Sequence, residues 1–342
     1  MKIIVIAGGY SPERDVSLSS GSLIANALIE NGHNVLLADL YLGIPYEDYD
    51  CLYLSKDSSK RYHYVVPEIE PDLMKLKETS GNGDVLIGPH IIEACQEADL
   101  VFVALHGSIG ENGMLQAVFD TYGIHYTGSG YEGSLLAMNK DISKKLMTVA
   151  GIRTAPWKTY SLHNLDLTRF RDITYPCVVK PLSCGSSIGV SILESQTQLE
   201  DALQTAATYE TSVLIENKIN GREFSVGILN GSALPVIEIK PKTGFYDYKN
   251  KYQSGYSTEL CPAPISNTLE QNLRKAALEV HKIHHLGYYS RVDFIVDEED
   301  QFWCLEVNSL PGMTPTSLIP QEAKVIGIHY NALCEMIARA AF

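Results

Sequence analysis

The sequence predicts an α/β protein with an open, Rossmann-like parallel sheet in its N-terminal part and an α+β arrangement in its C-terminal part. Two observations carry this prediction. Up to residue 121, apolar runs typical of strands alternate with segments of helical periodicity, a pattern that favours parallel pairing. After residue 211, the predicted strands follow one another as hairpins around one long helix, which favours antiparallel sheets.

The N-terminal section begins with residues 2–7, a short apolar run followed by glycines that is typical of a buried parallel strand rather than a signal peptide. Segment 43–90 is polar, rich in Tyr and broken by Pro and Gly, so we expect a surface excursion there. The other elements predicted in this section are a helix over 17–31, a strand over 35–39, a helix over 91–97 and a strand over 100–105. Their order is the one expected for consecutive βα units.

The rest of the chain divides into two further sections. In the first, a helix over 141–150 precedes a strand over 177–180, a Gly/Ser loop and a strand over 189–192. In the second, strands are predicted near 212–216, 223–229, 234–240 and 288–307, with a helix over 269–285.

Composition limits the classes of partner. A net charge of −14 over 342 residues argues against a general nucleic-acid or anionic-membrane binder, because such proteins depend on clustered Lys and Arg. No apolar run approaches the roughly 18 residues needed to span a bilayer. Seven cysteines without a CxxC pair or a zinc-ligand spacing indicate reduced thiols. The expected location is therefore the cytoplasm.

A predicted hairpin near the C-terminus gathers polar side chains on one surface. Alternate residues of a strand point to the same face. The side chains expected on this face are Arg291, Asp293, Glu306 and Asn308. If the acidic segment 297–300 supplies the turn, Arg291 lies opposite Glu306, and Asp293 lies opposite Cys304.

Two carboxylates and an amide oxygen suit Mg²⁺, which takes hard oxygen ligands and completes its shell with phosphate and water. The alternative is a solvated polar face on an amphipathic hairpin. The turn at 308–312 favours the site, because Gly312 could present its backbone N–H to an anion.

Three lysines are candidates for phosphate binding. Lys180 ends an apolar strand and precedes the Gly/Ser-rich loop 181–189, which could fold over phosphates or be a plain surface turn. Lys140 opens a predicted helix, and Lys251 follows the aromatic loop 244–250. A lone lysine is usually solvated, so only the patterns around these three lysines support a role in phosphate binding.

Other motifs are weaker. Residues 128–133 fit G-x-G-x-x-G, but no strong strand leads into them and no acidic residue follows about twenty positions on, which disfavours an NAD-dependent dehydrogenase. Residues 185–189 fit the hydrolase motif G-x-S-x-G, which should turn into a helix, whereas a predicted strand follows here. His281, His284 and His285 lie on a predicted helix, where surface exposure or core packing is favoured over metal binding.

Several motifs together resemble the D-alanine–D-alanine ligases of the ATP-grasp superfamily, and the resemblance covers nearly the whole chain. The N-terminal motifs are GGYSPERDVSL at 8–18, LHG at 105–107, GENG at 110–113 and YTGSG at 126–130. The later motifs are MNK at 138–140, KP at 180–181, GSS at 185–187, FYDY at 245–248, KY at 251–252 and the final hairpin.

The resemblance implies a three-domain ATP-grasp architecture, with ATP gripped between the second and third domains. The implied domains are 1–121, 122–211 and 212–342, the last with a lid loop over 241–256. The implied activity is ATP-dependent formation of D-alanyl-D-alanine through an acyl phosphate, for peptidoglycan precursors. The implied cofactor is Mg²⁺, as two ions for which Mn²⁺ can substitute, and the implied assembly is a homodimer.

The resemblance also assigns roles to matching residues. The residues implied to hold Mg²⁺ are Asp293, Glu306 and Asn308, with Glu306 as the bridge. Those implied at the phosphates are Lys140, Lys180 and Lys251, and those implied at the oxyanion are Arg291 and the Gly312 N–H. Those implied around adenine and ribose are Glu216, Asn217, Ile219 and Glu223. Those implied at the amino-acid substrates are Glu13, His106, Ser317 and Leu318, with Ser186 and Tyr252 completing a hydrogen-bonded set around Glu13.

Some positions depart from the family pattern. Lys218 replaces a frequent aromatic against adenine, Cys184 replaces a usually charged residue, and 315–316 differ from the common polar pair. Ligases that make D-Ala–D-Ser or D-Ala–D-lactate are rivals within the family, although Tyr252 and Leu318 favour D-alanine. A non-catalytic ATP-binding regulator is a rival outside it, disfavoured because a binder has no need of an oxyanion stabiliser.

Overall fold

The computed structural model describes residues 1–45, 48–67, 69–163, 167–185, 188–241 and 257–342. Within these ranges the chain forms three sheets, of three, four and six strands. The parallel first sheet and the antiparallel six-stranded sheet are those that the sequence predicts, and the four-stranded sheet is antiparallel as well.

The N-terminal sheet contains β1 (Lys2–Ala7), β2 (Asn34–Asp39) and β3 (Leu100–Val103) in the order β2-β1-β3. Helix α1 (Arg14–Glu30) packs against β1 and β2. Every residue of β1 after Lys2 is buried, as expected for a parallel strand covered on both faces.

Short helices fill the connections of this section. The predicted surface excursion carries α2 (Leu73–Ser80). Asp72 caps the start of this helix, because its side chain accepts a hydrogen bond from the backbone N–H of Lys75. The helices that follow are α3 (Ile91–Glu97), α4 (Ser108–Glu111), α5 (Met114–Tyr122) and α6 (Tyr131–Met138). They are followed by α7 (Lys140–Val149). Asn139 caps the start of α7, because its side chain accepts hydrogen bonds from the backbone N–H groups of Asp141 and Ile142.

The four-stranded sheet has the order β4-β7-β5-β6. Its strands are β4 (Trp157–Ser161), β5 (Cys177–Pro181), β6 (Ser191–Leu193) and β7 (Ser212–Asn217). Helix α8 (Leu199–Ala207) covers one face and encloses a small apolar core that belongs to this sheet alone.

The six-stranded sheet has the order β11-β10-β8-β12-β13, with β9 beside β8. Its strands are β8 (Arg222–Leu229), β9 (Ser232–Ala233), β10 (Ile237–Pro241), β11 (Ser257–Leu260), β12 (Tyr289–Val296) and β13 (Phe302–Asn308). Helix α9 (Asn267–Ile283) packs against β8 and β12. His281 on α9 and His284 just after it are buried against Ser290 and Ser143, each at 2.8 Å, so they are core residues.

The last two helices, α10 (Leu318–Val325) and α11 (Tyr330–Arg339), return the chain to the N-terminal sheet. Helix α11 packs against α1, and Leu333 and Ile337 join the apolar core of that sheet. Polar contacts support this packing, because His33 Nε2 lies 2.7 Å from Glu335 Oε2. Within the part of the chain that the structure describes, no helix is long and apolar enough to cross a membrane.

Candidate active site

Strands β12 and β13 pair as the predicted hairpin, but the predicted register is wrong. Arg291 lies opposite Asn308 rather than Glu306. Asp293 lies opposite Glu306 rather than Cys304. The four side chains expected on one face are nevertheless on one face, because residues paired across two strands point to the same side of a sheet.

Two local features shift the register. The turn is one residue longer than expected, because the N–H of Asp297 donates to the carbonyl of Gln301 at 3.0 Å. Strand β13 also holds one extra residue, Leu305, between the residues that pair with Asp293 and Phe294. Each feature adds one residue, and a shift of two leaves every side chain on its original face.

Asp293 is the centre of the polar surface. Its carboxylate accepts from Arg291 through Nε at 2.9 Å and Nη2 at 2.8 Å. It also accepts from the hydroxyl of Ser225 at 2.7 Å and from the amide nitrogen of Asn308 at 3.1 Å. These donors fix the carboxylate on its strand, beside that of Glu306.

We call Asp293, Glu306 and Asn308, together with Arg291, the carboxylate floor. Asn308 donates to Asp293 through its amide nitrogen, so its oxygen remains the atom suited to a cation. Two carboxylates and an amide oxygen fit a divalent cation that also takes phosphate and water. Among the described residues, no group of three or more His, Cys, Asp and Glu side chains is placed to hold a metal.

A cavity of about 360 Å³ opens beside the floor. The predicted residues that line it are Glu13, His106, Arg291, Asn308, Gly312, Ser317 and Leu318. They come from both ends of the chain, because the loop after β13 lies against α1 and the end of β3.

Glu13 and His106 occupy one wall of this cavity, and both are buried. Glu13 immediately precedes α1, and His106 follows β3 by three residues. A side chain at Gly107 would lie only 2.8 Å from Glu13 Oε2, and its φ of +67° also favours glycine. Gly185, in the predicted phosphate loop, lines the same cavity.

The opposite wall is the turn from β13 into α10. A Cβ at Gly312 would approach Ser317 Oγ to 3.0 Å and His106 Cε1 to 3.9 Å, so this position favours a residue without a side chain. Ser317 precedes the first residue of α10, and its hydroxyl accepts from the N–H of Thr314 at 3.1 Å. Leu318 is buried against Ile237 and Ile239.

Glu111 also lines the cavity, although no role is predicted for it from the sequence. It borders the 360 Å³ cavity and a smaller adjoining one that also contains Lys140 and Glu306. Its Oε1 lies 3.9 Å from Nδ1 of His106. The signal was its position in a glycine-rich turn five residues after His106.

Two of the predicted phosphate lysines, Lys140 and Lys180, lie near Glu216 together with Lys144, which was not predicted. We call these four residues the lysine wall. Lys180 on β5 lies 2.5 Å from Glu216 Oε1, and Lys144 on α7 lies 2.8 Å from Glu216 Oε2. Lys140 donates to the carbonyl of Cys184 at 2.6 Å. Burial raises the pKa of Glu216, but the ammonium groups of Lys180 and Lys144 outweigh burial and hold this pKa below its ordinary value.

The lysine wall meets the carboxylate floor at the smaller cavity, which Lys140, Cys184 and Gly185 line together with Glu306 and Asn308. Burial lowers the pKa of Lys140, and the nearby carboxylate of Glu306 partly offsets that effect. The cavity therefore has the ammonium group of Lys140 on one side and the carboxylate of Glu306 on the other.

The residues expected around adenine lie where β7 ends and β8 begins. Asn217 ends β7, and Ile219 lies in the connection to β8. Glu223 on β8 points to the same face of the sheet as Asp293, because it pairs with Ile295. Lys218 turns away to the surface, where its Nζ lies 2.9 Å from Glu194 Oε1. The predicted residues Ser186, Lys251 and Tyr252, and all of the expected lid except Pro241, lie outside the described residues.

Comparison with known families gives two matches that together cover most of the chain. Residues 2–129 match the family described as the D-ala D-ala ligase N-terminus. Residues 146–339 match the family described as the D-ala D-ala ligase C-terminus.

Similar proteins and structures carry related names. The D-alanine–D-alanine ligase of Pediococcus pentosaceus is 42% identical over 98% of this chain and 96% of its own length. The D-alanine–D-alanine ligase of Lacticaseibacillus casei is 40% identical over 97% of this chain and 93% of its own length. The crystal structure of the Bacillus anthracis enzyme complexed with ATP has a TM-score of 0.75 at 28% identity and covers 100% and 97% of the two chains. The VanG D-Ala:D-Ser ligase of Enterococcus faecalis has a TM-score of 0.77 at 28% identity, over 100% and 99%.

Proposed function

The chain belongs to the D-alanine–D-alanine ligase family, and we propose that it uses ATP to join two D-alanine molecules, releasing ADP and phosphate. The observation that carries the proposal is the convergence of Glu13, His106, Arg291 and Gly312 on one cavity beside the carboxylate floor. A cavity that combines a buried acid, a guanidinium and a glycine turn suits an amino acid together with a developing oxyanion.

The reaction has two steps. The carboxylate of the first D-alanine attacks the γ-phosphorus of ATP, which forms an acyl phosphate and ADP. The amine of the second D-alanine then attacks the acyl carbon, and phosphate leaves the tetrahedral intermediate. Both steps depend on positioning and charge neutralisation more than on covalent participation of the protein.

Residues of the cavity hold the substrates in this scheme. Glu13 accepts the ammonium of the first D-alanine, and His106 lies beside it. Arg291 and the Gly312 N–H donate to the oxyanion, and Ser317 and Leu318 border the second D-alanine. Ser186, Tyr252 and the lid over 241–256 complete the enclosure and exclude water.

The carboxylate floor is proposed to hold two Mg²⁺ ions through Asp293, Glu306 and Asn308, with Glu306 as the bridge and Mn²⁺ as a possible substitute. The donor set of two carboxylates and one amide supports this assignment. Bound Mg²⁺ would neutralise the charge of the transferring phosphoryl group.

The lysine wall is proposed to take the nucleotide. Lys140 and Lys180, with Lys251 of the lid, contact the phosphates. The residues assigned to adenine and ribose are Glu216, Asn217, Ile219 and Glu223. The proposed domains are 1–121, 122–211 and 212–342, and ATP lies between the second and the third.

We place the reaction in the cytoplasm, in the supply of peptidoglycan precursors, and propose a homodimer. The seven cysteines are all unpaired thiols, which supports a reducing compartment.

The deciding experiment measures ADP release with a panel of D- and L-amino acids, and identifies the product when D-alanine competes with D-serine or D-lactate. We expect release that depends on D-alanine and a D-alanyl-D-alanine product. Preferential use of D-lactate or D-serine at neutral pH would show that the second substrate is wrong. ATP binding without any D-alanine-dependent release would instead indicate a non-catalytic regulator.

A further inference from the structure

Lys144 is the most buried cation of the lysine wall, and no role has been assigned to it. Its side chain is only 2% exposed. It lies on the same face of α7 as Lys140, since residues four apart share a helix face. Its ammonium group contacts Glu216 at 2.8 Å, donates to the hydroxyl of Thr154 at 2.5 Å, and lies 5.2 Å from the ring centre of Trp157.

Such a position is unfavourable for an ammonium group unless it is paired. Burial lowers the pKa of Lys144, and the carboxylate of Glu216 is the main opposing influence. Apolar side chains often replace both members of a buried ion pair without loss of stability, whereas removal of one member leaves the other charge unpaired. Stability alone therefore does not account for the presence of the Lys144–Glu216 pair.

The arrangement around Glu216 suggests what the lysine does. Each carboxylate oxygen has its own cation, Lys180 on Oε1 and Lys144 on Oε2. If Lys180 turns to the nucleotide phosphates, as the proposed function requires, Glu216 loses one partner. Lys144 then remains as its counter-ion, whereas without Lys144 a buried carboxylate would be left unpaired.

We propose that Lys144 is a positioning residue that acts through Glu216 and allows Lys180 to leave that carboxylate for the phosphates of the nucleotide. The inference rests on the proposed ATP-binding role of Lys180. It adds an exchange to that role: Glu216 shares Lys180 while the nucleotide is absent and relies on Lys144 once the nucleotide is bound.

The main test compares Lys144→Met with Lys145→Met. Lys145 is the next residue of α7 and also forms an ion pair, with Asp141 at 2.6 Å, but its side chain is 66% exposed. In Lys144→Met, Lys180 is the only lysine left beside Glu216, and the phosphates of ADP must compete with Glu216 for it. The affinity for ADP should therefore fall roughly tenfold or more, in line with the cost of leaving a buried charge unpaired. Adenosine has no phosphate and should lose about twofold at most, and Lys145→Met should change neither affinity.

Equilibrium binding of ADP and adenosine to the full chain measures this ratio independently of ligation. Equal losses for the two ligands, or no loss of ADP affinity, would overturn the inference. Failure of the wild-type protein to form D-alanyl-D-alanine would count against the proposed function instead, and the binding ratio would still be measurable.

Two further variants separate positioning from folding. Thr154→Val removes one acceptor of Lys144 with little change of shape, and it should shift the ADP-to-adenosine ratio in the same direction by a smaller factor. In a Glu216→Gln background, Lys144→Met should add at most about twofold, because the carboxylate through which Lys144 acts is gone. Losses that simply multiply would show that Lys144 does not act through Glu216.

Discussion

The carboxylate floor and the lysine wall face one small cavity with opposite charge, and they are built differently. The floor is a hairpin whose side chains come from two adjacent strands. The wall joins a helix to two strands of another sheet, through Lys144, Lys180 and Glu216. Each also contains one group of the opposite sign, Arg291 in the floor and Glu216 in the wall, which holds the like charges in place. The difference matches the proposed roles, in which the floor holds cations and the wall contacts phosphates.

The largest expected effect comes from removing a floor carboxylate. Glu306→Gln should lower turnover roughly a thousandfold, because a bound divalent cation supplies several kcal/mol of charge stabilisation. Steady-state kinetics over a Mg²⁺ titration measure the loss. Glu298→Gln, in the exposed turn of the same hairpin, is the control. Wild-type activity should disappear with a chelator and return with Mg²⁺ or Mn²⁺, and a Glu306→Gln enzyme with an unaltered Mg²⁺ requirement would remove the floor from this role.

The second-largest expected effect concerns Arg291, whose guanidinium is the positively charged side chain of the floor. Arg291→Ala should lower turnover about a hundredfold with little change in ATP affinity, because its interaction strengthens in the transition state. Arg153→Ala, which removes a contact to Gln301 at the turn, is the control. A loss of ATP affinity with unchanged turnover would assign Arg291 to phosphate binding. The floor would then share the role that is proposed for the wall.

A third variant asks whether a further carboxyl belongs to the floor. Glu322 on α10 is fully buried, and its oxygens accept from the N–H of Gly227, the residue that pairs with Arg291. Burial raises the pKa of Glu322 well above the ordinary 4.5. The folded state therefore holds this proton more tightly than the unfolded state, and the resulting stability is present below about pH 4.5 and is lost as the pH rises through the folded pKa.

Glu322→Gln removes that titration. Relative to wild type, its free energy of unfolding should rise between pH 5 and pH 8, because wild type loses the contribution of the protonated carboxyl over this range and the variant does not. Urea unfolding at the two pH values measures the difference. A variant that becomes less stable than wild type as the pH rises would indicate that Glu322 is ionised and paired with Arg291, and so part of the floor.

The smallest effect concerns the boundary of the wall. Lys218 lies at the surface with Glu194, away from the buried lysines, so Lys218→Ala should change the KM for ATP by less than about twofold, as expected for an exposed pair. A much larger rise in KM would place Lys218 in the wall and would show that its departure from the family pattern affects nucleotide binding.

The sequence predicted the floor better than the wall for a physical reason. Strand alternation fixes which side chains share a face, so Arg291, Asp293, Glu306 and Asn308 could be grouped from spacing alone. Their register could not, because it depends on the extra residue Leu305 and on a turn extended by Gln301. Both features arise from local hydrogen bonding that periodicity does not contain.

The wall required contacts that spacing does not encode. Lys144 meets Glu216 across 72 positions of sequence, and only the packing of α7 against the four-stranded sheet brings them together. Glu322 and Gly227 are likewise joined by the way α10 lies on β8. The residue patterns indicated Lys140 and Lys180, and the family resemblance added Glu216, but neither gave a role to Lys144 or Glu111.

The packing of α11 against α1 has a consequence for the order in which the protein is made. Leu333 and Ile337 belong to the same core as Ile3, Ile24 and Phe102. When only residues 1–121 have left the ribosome, the apolar surface that Leu333 and Ile337 cover therefore has no partner yet. That surface is covered only after Ile337 has been synthesised, so the first domain to emerge is among the last to be completed.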